Sequence, residues 1–146
     1  MPNSFASDMA EYIVSAGVGT FNTNDKSLPL VRVGMEPNFN NRTLITLYDT
    51  GGPPSNPAYQ RDEPRIQVRT KAKDEFGYAD AYNAQQEVKD LILGMSRVVI
   101  NDTLYVGIWQ QVDISNLASD YNNRNILVSS YRTVREYTTP NRKPIE

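Results

Sequence analysis

The chain has 146 residues, a length that predicts one domain with a sizeable hydrophobic core. Lysine and arginine total 15 and aspartate and glutamate total 17, and this net charge of −2 argues against a protein whose main role is to neutralise phosphates. The absence of cysteine and histidine excludes disulfides, thiol chemistry, histidine-dependent catalysis and most zinc sites. No apolar run is long enough to span a bilayer, and the first residues lack the pattern of a signal peptide, so we expect no membrane partner.

The first predicted element is a helix over residues 5–16. Its apolar residues recur every three or four positions and form one face, made of Phe5, Met9, Tyr12, Ile13 and Ala16. Ser4 is suited to the N-cap, and Gly17 stands where a helix commonly ends.

Two strands and a long break in the pattern follow. Residues 30–35 and 43–48 read as strands, and the polar turn between them allows them to pair as a hairpin. Residues 49–64 contain four prolines and two glycines, which exclude a helix or a central strand. A loop of this length within a compact domain is usually functional or disordered.

The middle of the chain predicts a strand and then the longest helix. Residues 65–71 alternate, with Ile66 and Val68 on one face and polar or basic side chains on the other. A helix is predicted over residues 76–93, ending at Gly94. Its inward stripe is predicted to contain Tyr78, Ala81, Tyr82, Gln85, Val88, Leu91 and Ile92.

The last third of the chain is rich in strands. Residues 97–100 and 104–110 are predicted strands joined by a tight turn at Asn101 and Asp102. Residues 112–119 read as a link, and residues 126–137 read as a final strand longer than the usual 3–10 residues. There are two alternatives for this strand. Its outer half extends beyond its neighbours and leaves an edge open to another chain, or the strand ends near residue 132. Residues 138–146 are expected to form a flexible tail.

Two helices and about six strands in this order predict an α+β fold. We expect a mixed, mostly antiparallel sheet with both helices packed on one face. A single domain over residues 1–137 is predicted.

Residues that could carry chemistry are few. Acidic residues lie in or beside the predicted loops, but their spacing singles out no catalytic pair: Asp49, Asp62, Glu63, Asp113 and Asp120. The sequence therefore predicts no catalytic residue, no metal and no cofactor. A small hydrolase that uses Asp49, Asp62 and Asp120 remains as an alternative, as does a peptide-binding adaptor.

Basic and tyrosine side chains give the stronger indication. Arg65, Arg69 and Lys71 share one predicted strand face, and nine of the chain's aromatic residues are tyrosine. A solvated sheet face explains such a set, but protein interfaces are enriched in arginine and tyrosine, so association is the alternative. The predicted subunit or partner contacts are Tyr59, Arg61, Asp62, Arg65, Arg69, Asp120, Arg124, Arg132 and Arg135.

In its order of elements the chain resembles the tail terminator and minor capsid (tail completion) proteins of long-tailed bacteriophages. Those proteins begin with a short amphipathic helix and a hairpin, and a Pro/Gly-rich loop then leads into a strand like Pro64-Arg65-Ile66-Gln67-Val68 here. A long helix like that of residues 78–92 follows, and an Asp…Arg stretch, here Asp120 and Arg124, runs into the last strand. The sequence departs from the family pattern at Ala118-Ser119 and at Ser130-Tyr131, where Leu-Gly and Asn-Phe are common.

The resemblance implies a structural protein of the virion, made in the host cytoplasm. It implies a ring, expected to be a hexamer, that caps the tail tube, stops its polymerisation and docks to the head connector. The expected partners are further copies of the chain, the tail tube protein and the connector or stopper protein. DNA would pass through the lumen without specific binding. A head–tail adaptor or stopper of the neck is the alternative role. The loop 49–64 and the turn 120–125 are the expected arms toward neighbouring subunits.

Overall fold

The computed structural model describes residues 4–36, 42–52, 61–120 and 123–137, with the side chains of residues 61, 62 and 137 outside that description. The elements in chain order are α1 (Phe5–Ser15), β1 (Leu30–Val33), β2 (Leu44–Gly51), β3 (Arg61–Asp62), β4 (Arg65–Lys71), α2 (Tyr78–Leu93), β5 (Ser96–Ile100), β6 (Thr103–Ser119) and β7 (Asn125–Tyr137). The predicted tail 138–146 and residues 53–60 of the predicted loop 49–64 lie outside the described residues.

The strands form one mixed sheet in the order β1-β2-β4-β7-β6-β5, and the short β3 also pairs with β7. All the neighbouring pairs are antiparallel except β1 and β2. Both helices cover the same side of the sheet, called here the helix face, and the opposite side is called the open face. The predicted α+β fold with both helices on one face is therefore confirmed.

Helix α1 begins as its sequence predicts. The Ser4 hydroxyl accepts a hydrogen bond from the Ser7 amide at 3.1 Å, and the Asp49 carboxylate accepts one from the Ala6 amide at 3.0 Å. Free amides at a helix N-terminus favour both contacts. The second contact fastens α1 to the end of β2.

A buried carboxylate fastens the other side of α1. Asp8 is completely buried and accepts hydrogen bonds from the Tyr105 hydroxyl and, at 2.8 Å, from the Asn101 amide. Burial and the neighbouring Asp8 raise the pKa of the Tyr105 phenol. The turn of Asn101 and Asp102, which was predicted, is confirmed, and both residues have the positive φ of a tight hairpin turn.

Helix α2 turns a different stripe inward from the predicted one. Ala81, Gln85, Val88 and Ile92 are buried as expected, but Ala84 completes the buried face. Tyr78 and Tyr82 are 43% and 40% exposed, so their predicted place in the inward stripe is wrong. Small alanines at the contact let α2 lie close to the sheet, and this places the two tyrosines at the rim of the helix.

The core is one layer between the helices and the sheet. Its largest members come from α1, β1, β2, β4, α2, β6 and β7: Phe5, Met9, Ile13, Val31, Ile45, Leu47, Ile66, Val68, Val88, Ile92, Tyr105 and Tyr131. Burial of side chains this large, each worth about 1.5–3 kcal/mol, holds the two layers together.

The predicted hairpin of the first two strands is wrong, because β1 and β2 pair in parallel. Leu30 lies opposite Leu44 and Val33 opposite Leu47. The strand β1 has only four residues, so the chain has a short distance to cover before β2 begins beside its start. Glu36, which follows β1, lies 3.6 Å from Lys71 of β4.

The predicted link 112–119 is also wrong, because these residues continue β6. The 17 residues of β6 pair with the 13 residues of β7. Four register shifts along the ladder each take up one extra residue of β6. The polar and apolar alternation around Val112 and Ile114 suits such a bulged strand with one solvated face.

The final strand has neighbours on both sides, and its expected open edge is not found. On one side β7 pairs with β6 from Asn125 to Tyr137. On the other side it pairs with β4 and then, through Arg135 and Glu136, with β3. The strand nevertheless continues past residue 132, so it does not end early.

Candidate interaction surfaces

Three arginines and two aromatic residues form a surface on the open face. This arginine face consists of Arg65, Arg69, Arg132, Tyr48 and Trp109. The alternation of β4 turns Arg65 and Arg69 away from the helices, as the sequence predicts, while Ile66 and Val68 enter the core. Trp109 and Arg132 lie opposite each other on β6 and β7.

The arginine side chains lie on the aromatic rings. The Arg69 guanidinium carbon is 5.3 Å from the centre of the Tyr48 ring, and the Arg69 Nε donates to Gln67 Oε1 at 2.9 Å. The Arg132 guanidinium carbon is 5.2 Å from the centre of the Trp109 ring. Cation–π contacts of this kind hold the charge over the ring and present it outward.

Trp109 is 43% exposed and lies against a glycine. A Cβ at Gly107 would be 3.4 Å from the indole, which is an ordinary van der Waals contact. Sequence reasoning missed Trp109 and Tyr48. The polar and apolar alternation of their strands, beside arginine positions, could have identified both residues.

Two like charges lie opposite each other on the arginine face. Arg65 of β4 and Arg132 of β7 are paired residues of the ladder. Among the described residues, the ion pairs do not include Arg65, Arg69 or Arg132. Like charges directly across a ladder are destabilising. An anionic group placed over this pair would remove that cost.

The outer side of α2 has the opposite chemistry. This acidic ridge consists of Asp80, Glu87 and Asp90, which are all exposed and lie on one side of the helix. The rings of Tyr78 and Tyr82 stack with their centres 6.3 Å apart. At 3.6 residues per turn these rings lie on the flank of α2 opposite Asp80 and Glu87, so they are separate from the ridge.

Two lysines next to the acidic ridge are already paired with acidic groups. Lys73 is 3.1 Å from Asp80, and Lys89 is 3.0 Å from Asp113 of β6. The hydrogen bond from Lys89 holds the pKa of Asp113 below its usual value. Glu87 and Asp90 thus leave the ridge with an acidic excess.

The two described ends of the turn predicted as an arm, Asp120 and Arg124, make contacts inside the subunit. The Asp120 carboxylate is 3.0 Å from Lys71 and accepts from the Arg124 amide at 2.9 Å. Arg124 is 5% exposed. Its Nε donates to the Ala72 carbonyl at 2.6 Å, and its Nη2 donates to the Arg42 carbonyl at 3.2 Å. Arg124 therefore stabilises the junction of β2, β4 and β7, and its interface role remains a prediction without support from its position.

A second buried arginine organises the loop before β1. Arg42 is 6% exposed, and its guanidinium donates to the carbonyls of Asn22, Thr23, Asp25 and Leu28. Sequence reasoning did not identify Arg42 and placed Arg124 at an interface, because an arginine that satisfies backbone carbonyls has no periodic signal in the sequence.

The remaining predicted contact residues are dispersed. Arg135 lies opposite Tyr105 on the helix face, so it does not share a surface with Arg132. The backbones of Arg61 and Asp62 form β3, and their side chains lie outside the description. Tyr59 lies outside the described residues. Of the nine predicted residues, the fold brings together Arg65, Arg69 and Arg132.

The acidic residues considered for catalysis are separate from one another in their contacts. Asp49 caps α1, while Asp120 is paired with Lys71. Across residues 4–36, 42–52, 61–120 and 123–137, no group of three acidic side chains is arranged to hold a metal ion.

A polar cavity of about 530 Å³ lies between α2 and residues 26–29, and Lys26, Lys73 and Arg42 line it together with two acids of the ridge. Neither helix in the described part of the chain has the length and apolar character needed to cross a bilayer.

Comparison with known proteins agrees with the fold. A family model described as "Bacteriophage tail terminator protein" matches residues 12–137. No relative was found among curated protein sequences. A solved chain from the "Virion of native gene transfer agent (GTA) particle" is similar in structure, with a TM-score of 0.66 and 16% sequence identity over 91% of this chain and 95% of that chain. Because the family model spans most of the sequence, the chain belongs to the bacteriophage tail terminator family and is a structural protein of a phage-type tail.

Proposed function

We propose that the protein forms a ring that caps the tail tube, stops its polymerisation and offers a docking surface to the head connector. The family match over residues 12–137 carries this proposal. A hexamer is the expected ring, and its partners are the tail tube protein on one side and the connector or stopper protein on the other. DNA would pass through the lumen without specific binding.

The chemistry of the surfaces supports an architectural role. A capping ring needs one face that complements the tube and another that cannot accept a further tube subunit. The subunit offers sides of different composition, with arginine and aromatic groups on the open face and carboxylates on α2. Asp49 and Asp120, which the hydrolase alternative would use, hold α1 and Lys71 in place.

Tube growth in the presence of the purified protein tests the proposal. Tail tube protein is polymerised alone or with the protein carrying a small electron-dense label, and tube lengths and label positions are measured by negative-stain microscopy. We expect shorter tubes with the label at one end. Unchanged lengths together with label along the tube walls would contradict a terminator.

Isolated particle parts separate the two candidate roles in the neck. A terminator is expected to stay on isolated tails, whereas a stopper is expected to stay on isolated heads. Immunolabelling of both fractions from disrupted virions distinguishes them. Label on heads alone would replace the terminator by the adaptor or stopper role.

A further inference from the structure

We infer that the arginine face of one subunit binds the acidic ridge of α2 on a neighbouring copy, so that these two surfaces form the contact between subunits. The inference rests on the proposed ring and names the residues that close it. It identifies the occupant of the open face as a second copy of this chain. Charge complementarity between the two surfaces is the observation that favours this occupant.

The arginine face has the properties of a surface that is covered in the assembly. Arg65 and Arg132 repel each other across the ladder, and neither has an ion pair among the described residues. Tyr48 and Trp109 hold Arg69 and Arg132 in place, so little side-chain freedom remains to be lost on binding. Interfaces are enriched in the same residue types, arginine, tyrosine and tryptophan.

The acidic ridge supplies what this face lacks. Glu87 and Asp90 are exposed carboxylates that can pair with guanidinium groups. A subunit that docked these groups on another copy would cover both unpartnered surfaces at once.

The two surfaces lie on opposite sides of the subunit, since α2 covers the helix face and the arginines project from the open face. A contact between them is therefore head-to-tail, with each copy using its open face for one neighbour and its helix side for the other. Head-to-tail contacts generate a ring when the rotation between copies closes. This is the symmetry that a cap on a tube requires.

The passage of DNA gives a further reason for covering the arginines. Several arginines beside exposed aromatic rings would bind phosphates and stack on bases if they lined the lumen. Such binding would hinder DNA movement. A contact that buries the arginine face between subunits keeps it away from the DNA.

A charge-swap experiment tests the contact. The face variant carries Arg69→Glu and Arg132→Glu, and the ridge variant carries Glu87→Arg and Asp90→Arg. The control variant, Arg97→Glu with Ser15→Glu and Ser96→Glu, changes the net charge as much as the face variant does, at exposed positions outside both surfaces. Each protein is checked for folding by circular dichroism, and its mass is then measured by light scattering at low and high salt.

We expect the parent and the control to form the same oligomer, weakened by salt. The face and ridge variants, each alone, are expected to need at least about a tenfold higher concentration to assemble, because every contact then joins like charges. An equimolar mixture of the two variants is expected to restore the oligomer, since each acidic surface again meets a basic one in an alternating ring.

Assembly of either variant like the parent would overturn the inference, and so would failure of two folded variants to assemble when mixed. If the parent is a monomer in solution, the same samples are compared by chemical crosslinking on isolated tail tubes, with the same expected pattern. The test also stands apart from the proposed function. A parent ring that forms but does not limit tube length would refute the capping role, while a capping ring insensitive to these changes would refute only this contact.

Discussion

Gln85 of α2 connects the helix to two strands, and its change to glutamate gives a sharp test of the buried structure. The side chain is completely buried. Its Nε2 donates to the carbonyls of Val68 at 2.9 Å and Leu127 at 3.0 Å, and its Oε1 accepts from the Ser129 hydroxyl at 2.8 Å. Glutamate has nearly the same shape, so Gln85→Glu changes the hydrogen bonding and charge with little change in volume.

The expected cost depends on protonation. A protonated glutamic acid at this position keeps one of the two donated bonds, so the free energy of unfolding should fall by about 1 kcal/mol at low pH. An ionised carboxylate would place negative charge against two carbonyl oxygens in a buried site. Burial raises the pKa of such carboxyls by about 3 units or more, which adds about 4 kcal/mol at neutral pH. That is a large part of the roughly 5–15 kcal/mol that stabilises a typical domain.

The sign of the pH dependence follows from the raised folded-state pKa. The variant keeps its stability below the unfolded pKa of about 4.3 and loses up to about 1.4 kcal/mol per pH unit as pH rises toward the folded pKa. Urea unfolding followed by circular dichroism between pH 4 and pH 8, relative to the parent at each pH, measures this loss. The matched control is Gln86→Glu on the outer side of the same helix, where the added repulsion with Asp90 should cost about 0.5 kcal/mol or less. A stability difference between variant and parent that does not change with pH would refute the reasoning.

Two further predictions concern the buried tyrosines and the arginines. Burial raises the pKa values of Tyr105 and Tyr131. Above the unfolded tyrosine pKa of about 10, the protein should therefore lose stability by up to about 1.4 kcal/mol per pH unit for each phenol. Tyr105→Phe should reduce that slope in urea unfolding between pH 9 and pH 11. Arg124→Met should lower the free energy of unfolding by about 2–4 kcal/mol because it leaves the Ala72 and Arg42 carbonyls without this donor. Arg132→Met, on the exposed arginine face, should cost about 1 kcal/mol or less; equal effects of the two substitutions in thermal unfolding would contradict the different roles assigned to them.

Local patterns predicted the parts of the fold that depend on neighbouring residues. The cap at Ser4, the turn at Asn101 and the alternation that separates Ile66 from Arg65 each follow from geometry within a few positions. The parallel pairing of β1 with β2 could not be predicted this way, because it depends on contacts between separate segments and not on the sequence of either strand.

The same limit explains the outcome for the candidate site. Arg65 and Arg69 were identified from the alternation of their own strand. The stacking of Arg132 on Trp109 needed the register of β6 on β7, which four bulges displace. Arginine is a residue type that is common at exposed contacts, and only the positions of the Ala72 and Arg42 carbonyls show that Arg124 is buried.

The central place of β7 has a consequence for how the protein is made. The elements before residue 125 form two separate groups of strands, β1-β2-β4 and β5-β6, and β7 joins them. During translation the sheet cannot close until this strand has left the ribosome. A product cut short before residue 125 would lack Arg132 and would expose the edges of both β4 and β6. Truncated chains therefore cannot complete the sheet, and only chains that include β7 can offer a complete surface to a growing particle.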